Sequence, residues 1–119
     1  MATVTGLGGV FYKVADPERT RAWYLDNLGL GGEWGIMFAW PAAGGEDPLS
    51  LLSAFEETTD YLAPSTEKFM INLRVDDLDT VVADLEAKGI EILGRQADDY
   101  GKFAWILDCD GIKIELWQQ

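Results

Sequence analysis

Hydrophobic and polar residues alternate near the end of the chain in a pattern typical of a β-hairpin. Residues 102–108 are rich in aromatic and β-branched side chains, and residues 112–117 are apolar at every second position. Between these two runs lies Asp110-Gly111, a pair that favours a tight turn with positive φ. The returning strand therefore has one wholly apolar face. Its other face, which is either a solvated surface or the wall of a pocket, carries Lys113, Glu115 and Trp117.

The first half of the chain predicts a strand, a helix and three further strands. A strand is expected at 7–14, and a helix begins at Asp16-Pro17, where an acidic N-cap precedes a proline at the first helical position. Two short strands are predicted within 31–42, around Trp34 and Trp40, and another strand at 49–55. Trp23 and Tyr24 lie on the predicted apolar stripe of the helix and are assigned to the core.

The second half repeats this order. A strand is predicted at 69–75, a helix capped by Asp76 or Asp77 and closed by Gly89, a strand at 90–93, a loop at 94–99 and then the hairpin. Lys13-Val14-Ala15-Asp16 aligns with Arg74-Val75-Asp76-Asp77 at a spacing of 61 residues. Such a repeat indicates two copies of one structural unit. We therefore predict a single domain over residues 1–119, built from halves at about 5–60 and 68–119 that are joined by a polar linker.

The charge of the chain excludes one class of partner. There are 9 basic and 21 acidic residues and no histidine, which gives a formal net charge of −12. Nucleic acid is not expected as a partner, because phosphates are bound by Lys and Arg. No apolar run is long enough to span a bilayer, and the start of the chain lacks the pattern of a signal peptide. The single cysteine, Cys109, cannot form an internal disulfide, so we expect a cytoplasmic protein without membrane contact.

The paired halves resemble the vicinal oxygen chelate superfamily, which includes glyoxalase I, extradiol dioxygenases and bleomycin resistance proteins. This resemblance covers nearly the whole chain, and the fold hosts many chemistries. It implies an α+β fold in which two βαβββ modules form a curved mixed sheet shaped as a cup, with the helices on the outer face. The residues that carry it are Val14-Ala15-Asp16, Trp23-Tyr24, Leu28-Gly29-Leu30, Val75-Asp76-Asp77-Leu78, Leu107-Asp108-Cys109-Asp110-Gly111 and Ile114-Glu115-Leu116.

The resemblance also locates the metal ligands of the metal-dependent members, which come from the first strand and a late strand of each half. The matching positions here are Gly9, Met70, the 51–53 segment and Glu115. Divalent ions of this kind need imidazole or carboxylate ligands, and only Glu115 supplies one. We therefore predict no metal and no cofactor, and Glu115 remains the candidate catalytic residue.

The same positions identify which strand faces line the cup. If Gly9, Met70 and Glu115 face it, their neighbours at every second position face it as well. The opposite faces are uniformly apolar, as expected of faces covered by helices. Trp34 joins the predicted set although its position also fits the core or an interface. The predicted ligand-binding residues are Phe11, Lys13, Trp34, Met70, Asn72, Arg74, Trp105, Lys113, Glu115 and Trp117.

Three functions fit these observations. The first is metal-independent binding of a small organic molecule in the cup; we expect a neutral or anionic ligand because three cations, Lys13, Arg74 and Lys113, outnumber Glu115 there. The second is an enzyme, a lyase, isomerase or dioxygenase, with Glu115 as metal ligand or general base. The third is an interaction module whose cup is filled by its own side chains. In each case we expect a symmetric homodimer with Trp or Phe of the middle strands near the interface.

Overall fold

The computed structural model describes residues 3–32, 35–39 and 49–119, which form a curved mixed sheet of seven strands with two helices. The predicted α+β fold is confirmed. In chain order the elements are β1 (Val4–Val14), α1 (Pro17–Leu28), β2 (Ile36–Ala39), β3 (Leu49–Glu56), β4 (Phe69–Val75), α2 (Leu78–Ala87), β5 (Gly94–Asp98), β6 (Gly101–Leu107) and β7 (Lys113–Gln118).

The two halves join side by side within one chain. The strand order is β2-β3-β1-β4-β7-β6-β5, so the antiparallel pair of β1 and β4 lies at the centre of the sheet. On either side of this pair the arrangement repeats, because β1 runs parallel to β3 and β4 runs parallel to β7. The internal repeat of the sequence is thus a repeat of strand pairing.

Helix α2 covers the second half of the sheet as its apolar stripe predicts. Asp77 caps the helix by accepting a hydrogen bond from the backbone N–H of Thr80, and Leu78 and Val82 are buried. They pack on strand residues of the same half, with Val81 and Leu85 beside them. The buried strand residues of this cluster are Val75, Ala104, Ile114 and Leu116.

Helix α1 is less covered than its sequence predicts. Its ends are as expected, with Asp16 as N-cap and Gly29 as a left-handed C-cap at φ 69°. No residue of the helix is buried, however, and Trp23 is 55% exposed, so its assignment to the core is wrong. Trp23 instead packs edge-on against the partly buried Tyr24. The described residues beneath α1 form no buried apolar cluster like the one beneath α2.

Two strand predictions differ from the structure. The strand expected at 90–93 is absent, and the residues predicted as a loop form β5, which pairs with β6 from Gly94 opposite Trp105 to Asp98 opposite Gly101. An edge strand of mostly exposed polar residues lacks the apolar alternation that marks a strand. Of the two short strands predicted within 31–42, one corresponds to β2, whereas Trp34 and Trp40 lie outside the described residues.

Among the described residues, neither helix has the length and apolar character needed to cross a membrane.

Candidate functional site

Residues of β1, β2, β3, β6 and β7 line a cavity of about 720 Å³. Asn72 on β4 pairs with Glu115 on β7, and in the first half Phe11 on β1 pairs with Ser53 on β3. Ser53 therefore occupies the position in the first half that Glu115 occupies in the second. Both residues line the cavity.

The cavity is largely apolar and aromatic. Its volume falls within the range of roughly 300–1,000 Å³ that is typical of small-molecule sites. Among the described lining residues the charged side chains are Arg21 and Glu115, one of each sign. The lining consists of Phe11, Arg21, Met37, Leu49, Leu51, Ser53, Ala54, Phe55, Tyr61, Tyr100, Phe103, Glu115 and Trp117.

Glu115 is the buried centre of a hydrogen-bond network that extends to the more exposed Tyr61. It is 3% exposed, and its Oε1 accepts a hydrogen bond from Asn72 Nδ2 at 2.9 Å. Its Oε2 accepts two, from the Tyr61 hydroxyl at 2.5 Å and from Trp105 Nε1 at 3.0 Å. The three donors are neutral, and together they stabilise a buried carboxylate that would otherwise be costly to desolvate.

Tyr61 belongs to the segment that the sequence predicts to be a polar linker between the halves, and part of that segment packs against the site. Its ring packs edge-on against Trp105 and tilted against Phe55, with centroids 6.3 and 5.6 Å apart. The next residue, Leu62, is fully buried against Phe11 and Met70. The connection between the halves therefore closes one side of the cup. The adjacent apolar residues Tyr61 and Leu62 within a polar stretch are the signal that could have indicated this.

Lys113 is buried against the rings of Tyr61 and Trp105. It is 9% exposed, and its Nζ donates a hydrogen bond to the backbone carbonyl of Tyr61 at 2.5 Å. The ammonium also lies 5.3 Å from the ring centroid of Tyr61 and 5.7 Å from that of Trp105. Burial lowers the pKa of Lys113, and the negative charge of Glu115 opposes that shift. The lysine thus fixes Tyr61 beside Glu115.

The other two predicted cations also lie away from the cavity lining. Arg74 donates a hydrogen bond from Nη1 to the carbonyl of Leu49 at 3.0 Å, and its guanidinium stacks over Trp117 at 5.6 Å. Lys13 is partly buried, and its backbone N–H bonds to the carbonyl of Lys68. None of the three cations is among the described lining residues, so the charge argument for an anionic ligand loses its basis.

The remaining predicted site residues divide by position. Phe11, Glu115 and Trp117 line the cavity. Asn72 and Trp105 are not among its lining residues but donate hydrogen bonds to Glu115, which is. Met70 is fully buried beneath Phe11 and Leu62. Trp34 lies outside the described residues.

The residues at the expected metal-ligand positions do not fit a divalent ion. Gly9 and Met70 offer no hard donor, and the late-strand position of the first half is the hydroxyl of Ser53. The oxygens of Glu115 already accept three hydrogen bonds from neutral groups. Over residues 3–32, 35–39 and 49–119, no group of three or more His, Cys, Asp or Glu side chains could hold an ion.

Gly8 leaves the space that Asn72 uses. The register of β1 against β4 shifts between Leu7 and Gly9, and this irregularity brings Gly8 against the Asn72 side chain. A Cβ at position 8 would overlap Asn72 Oδ1 well inside van der Waals contact. The missing side chain therefore allows the Asn72 amide to reach Glu115.

We expect Gly8→Ala to lower the free energy of unfolding by about 1–3 kcal/mol, because it displaces the amide and leaves buried polar groups unpaired. Urea unfolding measures the change. Gly6→Ala is the matched control on the same strand, since a Cβ there meets nothing within 4 Å. Equal stability of the two variants would show that the Asn72 amide does not depend on Gly8.

The hydroxyl of Tyr61 should make stability pH-dependent in alkaline solution. Burial and the negative charge of Glu115 raise the pKa of Tyr61 in the folded state. The folded protein then retains a proton that the unfolded chain releases near pH 10, so this contribution is complete below about pH 10 and is lost as the pH rises. The stability difference between the parent and Tyr61→Phe should therefore shrink between about pH 10 and pH 12.

Urea unfolding at several pH values measures this difference. Tyr12, whose pKa is raised to about 12 by burial, is present in both proteins and cancels in the comparison. A difference that stays constant through this range would contradict the raised pKa of Tyr61.

Comparisons with known proteins agree on the architecture. The family model of the Glyoxalase/Bleomycin resistance protein/Dioxygenase superfamily matches residues 6–116. No curated protein sequence matches the chain.

Similar solved structures include two methylmalonyl-CoA epimerases. The Streptomyces coelicolor epimerase in complex with 2-nitronate-propionyl-CoA has a TM-score of 0.74 and 21% identity, over 98% of this chain and 99% of that one. The Mycobacterium tuberculosis epimerase has a TM-score of 0.63 and 24% identity, over 97% and 88%. A Legionella pneumophila structure described as an NAD-dependent benzaldehyde dehydrogenase has a TM-score of 0.60 and 16% identity, over 92% and 96%. At these identities the likeness shows the fold alone.

Proposed function

Because the chain belongs to the Glyoxalase/Bleomycin resistance protein/Dioxygenase superfamily, we propose that it binds a small organic molecule in the cup of its sheet without a divalent metal ion. The observation that carries this proposal is the cavity of about 720 Å³, which is lined mainly by aromatic and aliphatic side chains around one buried carboxylate. Apolar walls with a few convergent polar groups are typical of ligand sites.

The chemistry of Glu115 supports the metal-free part of the proposal. Its carboxylate is oriented by Tyr61, Asn72 and Trp105, which are donors suited to an anion rather than neighbours of a cation. The other expected ligand positions offer glycine, a thioether and a hydroxyl. A carboxylate fixed in this way is suited to orienting an organic ligand.

Native mass spectrometry of the EDTA-treated protein incubated with a metabolite extract tests the proposal. We expect one-to-one adducts that survive EDTA. Met37→Trp, which adds bulk to an exposed strand residue lining the cavity, should reduce them, whereas Val4→Trp, at an exposed strand residue outside the lining, should not. The proposal would be overturned by adducts that appear only after zinc or manganese is restored, or by adducts whose amount Met37→Trp does not reduce.

A second candidate function is proton transfer at a carbon atom, as in an isomerase. The observation that favours it is the 2.5 Å hydrogen bond between the Tyr61 hydroxyl and Glu115 at the cavity wall. Glu115 would accept a proton from the substrate carbon, and the phenol would keep the carboxylate oriented. Incubation of a bound metabolite in D₂O would then incorporate deuterium with the parent protein and not with Glu115→Gln; equal incorporation in both would exclude this role.

The substrate of such a reaction would differ from that of the similar epimerases. The two Streptomyces and Mycobacterium structures are named as methylmalonyl-CoA epimerases, and coenzyme A carries several phosphate charges. Phosphates are bound chiefly by Lys and Arg. Among the described residues that line the cavity, Arg21 is the one basic side chain. A coenzyme A thioester is therefore not the ligand that we propose.

We also propose that the chain forms a symmetric homodimer. Strand β2 is at an edge of the sheet, and its Met37 and Phe38 are 49% and 36% exposed. Nearby apolar side chains of α1 are exposed as well, Trp23, Leu25 and Leu28 among them. Analytical ultracentrifugation should give twice the chain mass of 13.2 kDa; a single 13.2 kDa species at micromolar concentration would contradict the proposal.

A further inference from the structure

We infer that the group a ligand presents to Glu115 is a neutral hydrogen-bond donor, a hydroxyl or amide N–H carried on an aromatic body. The inference rests on the proposed function, because it specifies the chemistry of the molecule that occupies the same cavity. It follows from the acceptor capacity that remains on Glu115, from the orientation of the Asn72 amide and from the charges around the cavity.

The hydrogen bonds of Glu115 are unevenly divided between its oxygens. Oε2 accepts from Tyr61 and Trp105, so its two lone pairs are in use. Among the described residues, Asn72 is the one donor to Oε1. The acceptor capacity left to a ligand is therefore on Oε1, which can take one further N–H or O–H.

The orientation of the Asn72 amide also indicates that Oε1 of Glu115 is a hydrogen-bond acceptor. Asn72 is 1% exposed and turns Nδ2 to Glu115, which leaves its Oδ1 buried without a hydrogen-bond partner in the described part of the chain. A buried unpaired amide oxygen is unfavourable. The opposite orientation would direct that oxygen at a carboxylate. The observed orientation is favoured, although it leaves Oδ1 unpaired, because Oε1 of Glu115 acts only as an acceptor.

The charges nearby favour a neutral donor over an ion. A ligand carboxylate would face the acceptor Oε1 directly. An ammonium is not required, because the buried Lys113 lies on the same face of β7 and its charge already interacts with that of Glu115. Around these groups the wall is aromatic, with Phe103 stacked on Trp117 at 6.0 Å and Phe11 stacked on Phe55 at 5.5 Å. The ligand body should therefore be aromatic.

A matched series of naphthalene probes tests the inference by calorimetry in EDTA. The series shares one ring system and differs in a single group: 2-(2-naphthyl)ethanol, its methyl ether, 2-(2-naphthyl)ethylamine and 2-naphthylacetate. We expect the alcohol to bind about 10-fold more tightly than the ether, the factor that 1.4 kcal/mol represents. The alcohol should also bind more tightly than the amine and the acetate.

Glu115→Gln provides a sharper test, because it should remove or invert this preference. The glutamine oxygen can accept from Tyr61 and Trp105, and its amide N–H can donate to the unpaired Asn72 Oδ1 after that amide rotates. The group that then faces the ligand is a donor. The ratio of alcohol affinity to ether affinity should fall from about 10 to about 1 or below. The control Glu86→Gln removes an exposed carboxylate of α2 and should leave the ratio unchanged.

The outcomes separate the inference from the proposed function. If the probes bind in EDTA but the alcohol shows no preference over the ether in the parent protein, the inferred ligand class is wrong and the binding function stands. Tighter binding of the amine or the acetate than of the alcohol would also overturn it, in favour of an ionic ligand. If no probe binds in EDTA while adducts with the metabolite extract persist, the inferred ligand class is wrong and the binding function stands; if neither forms, both fail.

Discussion

Replacing Glu115 by alanine should lower the free energy of unfolding by about 3–5 kcal/mol, the range found when one partner of a buried charged network is removed. The substitution leaves three buried or partly buried donors, on Tyr61, Asn72 and Trp105, without their acceptor. It also removes the negative charge beside the buried ammonium of Lys113. Equilibrium unfolding in urea, followed by tryptophan fluorescence, measures the loss.

Two control variants separate the loss of the network from a general effect of charge. Glu115→Gln retains an acceptor for Tyr61 and Trp105 and gains a donor for Asn72, so its stability should stay much closer to that of the parent. Glu57→Ala removes an exposed carboxylate and should change stability by no more than about 0.5 kcal/mol. A Glu115→Ala variant as stable as Glu57→Ala would contradict the network.

Leu62→Ala should lower the free energy of unfolding by about 2–5 kcal/mol, as for other large-to-small substitutions in a protein core. Leu62 has no exposed surface and packs against Phe11 and Met70, which lie on the two central strands. The same substitution should also weaken binding of the naphthalene probes, because the neighbouring Tyr61 loses its anchor.

Leu7→Ala is the matched control, since Leu7 on β1 is 52% exposed and its truncation should cost no more than about 0.5 kcal/mol. Similar stabilities of Leu62→Ala and Leu7→Ala would show that the connecting segment is not part of the core.

Much of the fold could be predicted because it depends on short-range patterns. The alternation in 112–117 and the repeat of strand and helix signals identify β7, β1 and β4 and the faces that they present. The same alternation places Glu115 and Trp117 together, and the structure has both on the cavity wall. The alternation of side chains between the two faces of a strand is local, so it predicts the face of each residue without knowledge of distant contacts.

The parts that could not be predicted depend on contacts far apart in sequence. β5 exists because its backbone pairs with β6, and its exposed polar residues give no pattern of their own. Tyr61 reaches Glu115 across 54 residues, and nothing local marks it as a donor. Likewise alternation predicts the strand face of Arg74 and Lys113. It does not predict which groups their charged ends contact, because the ends of long side chains are positioned by tertiary contacts.

The indole N–H of Trp105 donates to Glu115, so it should report on an organic molecule that binds at Glu115 without metal. Two-dimensional ¹⁵N NMR in EDTA, with the Trp105 signal assigned from Trp105→Phe, follows this group during titration with 2-(2-naphthyl)ethanol. We predict a saturable change in the Trp105 signal, because its partner Oε2 belongs to the carboxylate that contacts the ligand. A signal that stays unchanged in EDTA, or that moves only after zinc or manganese is added, would contradict metal-free binding at Glu115.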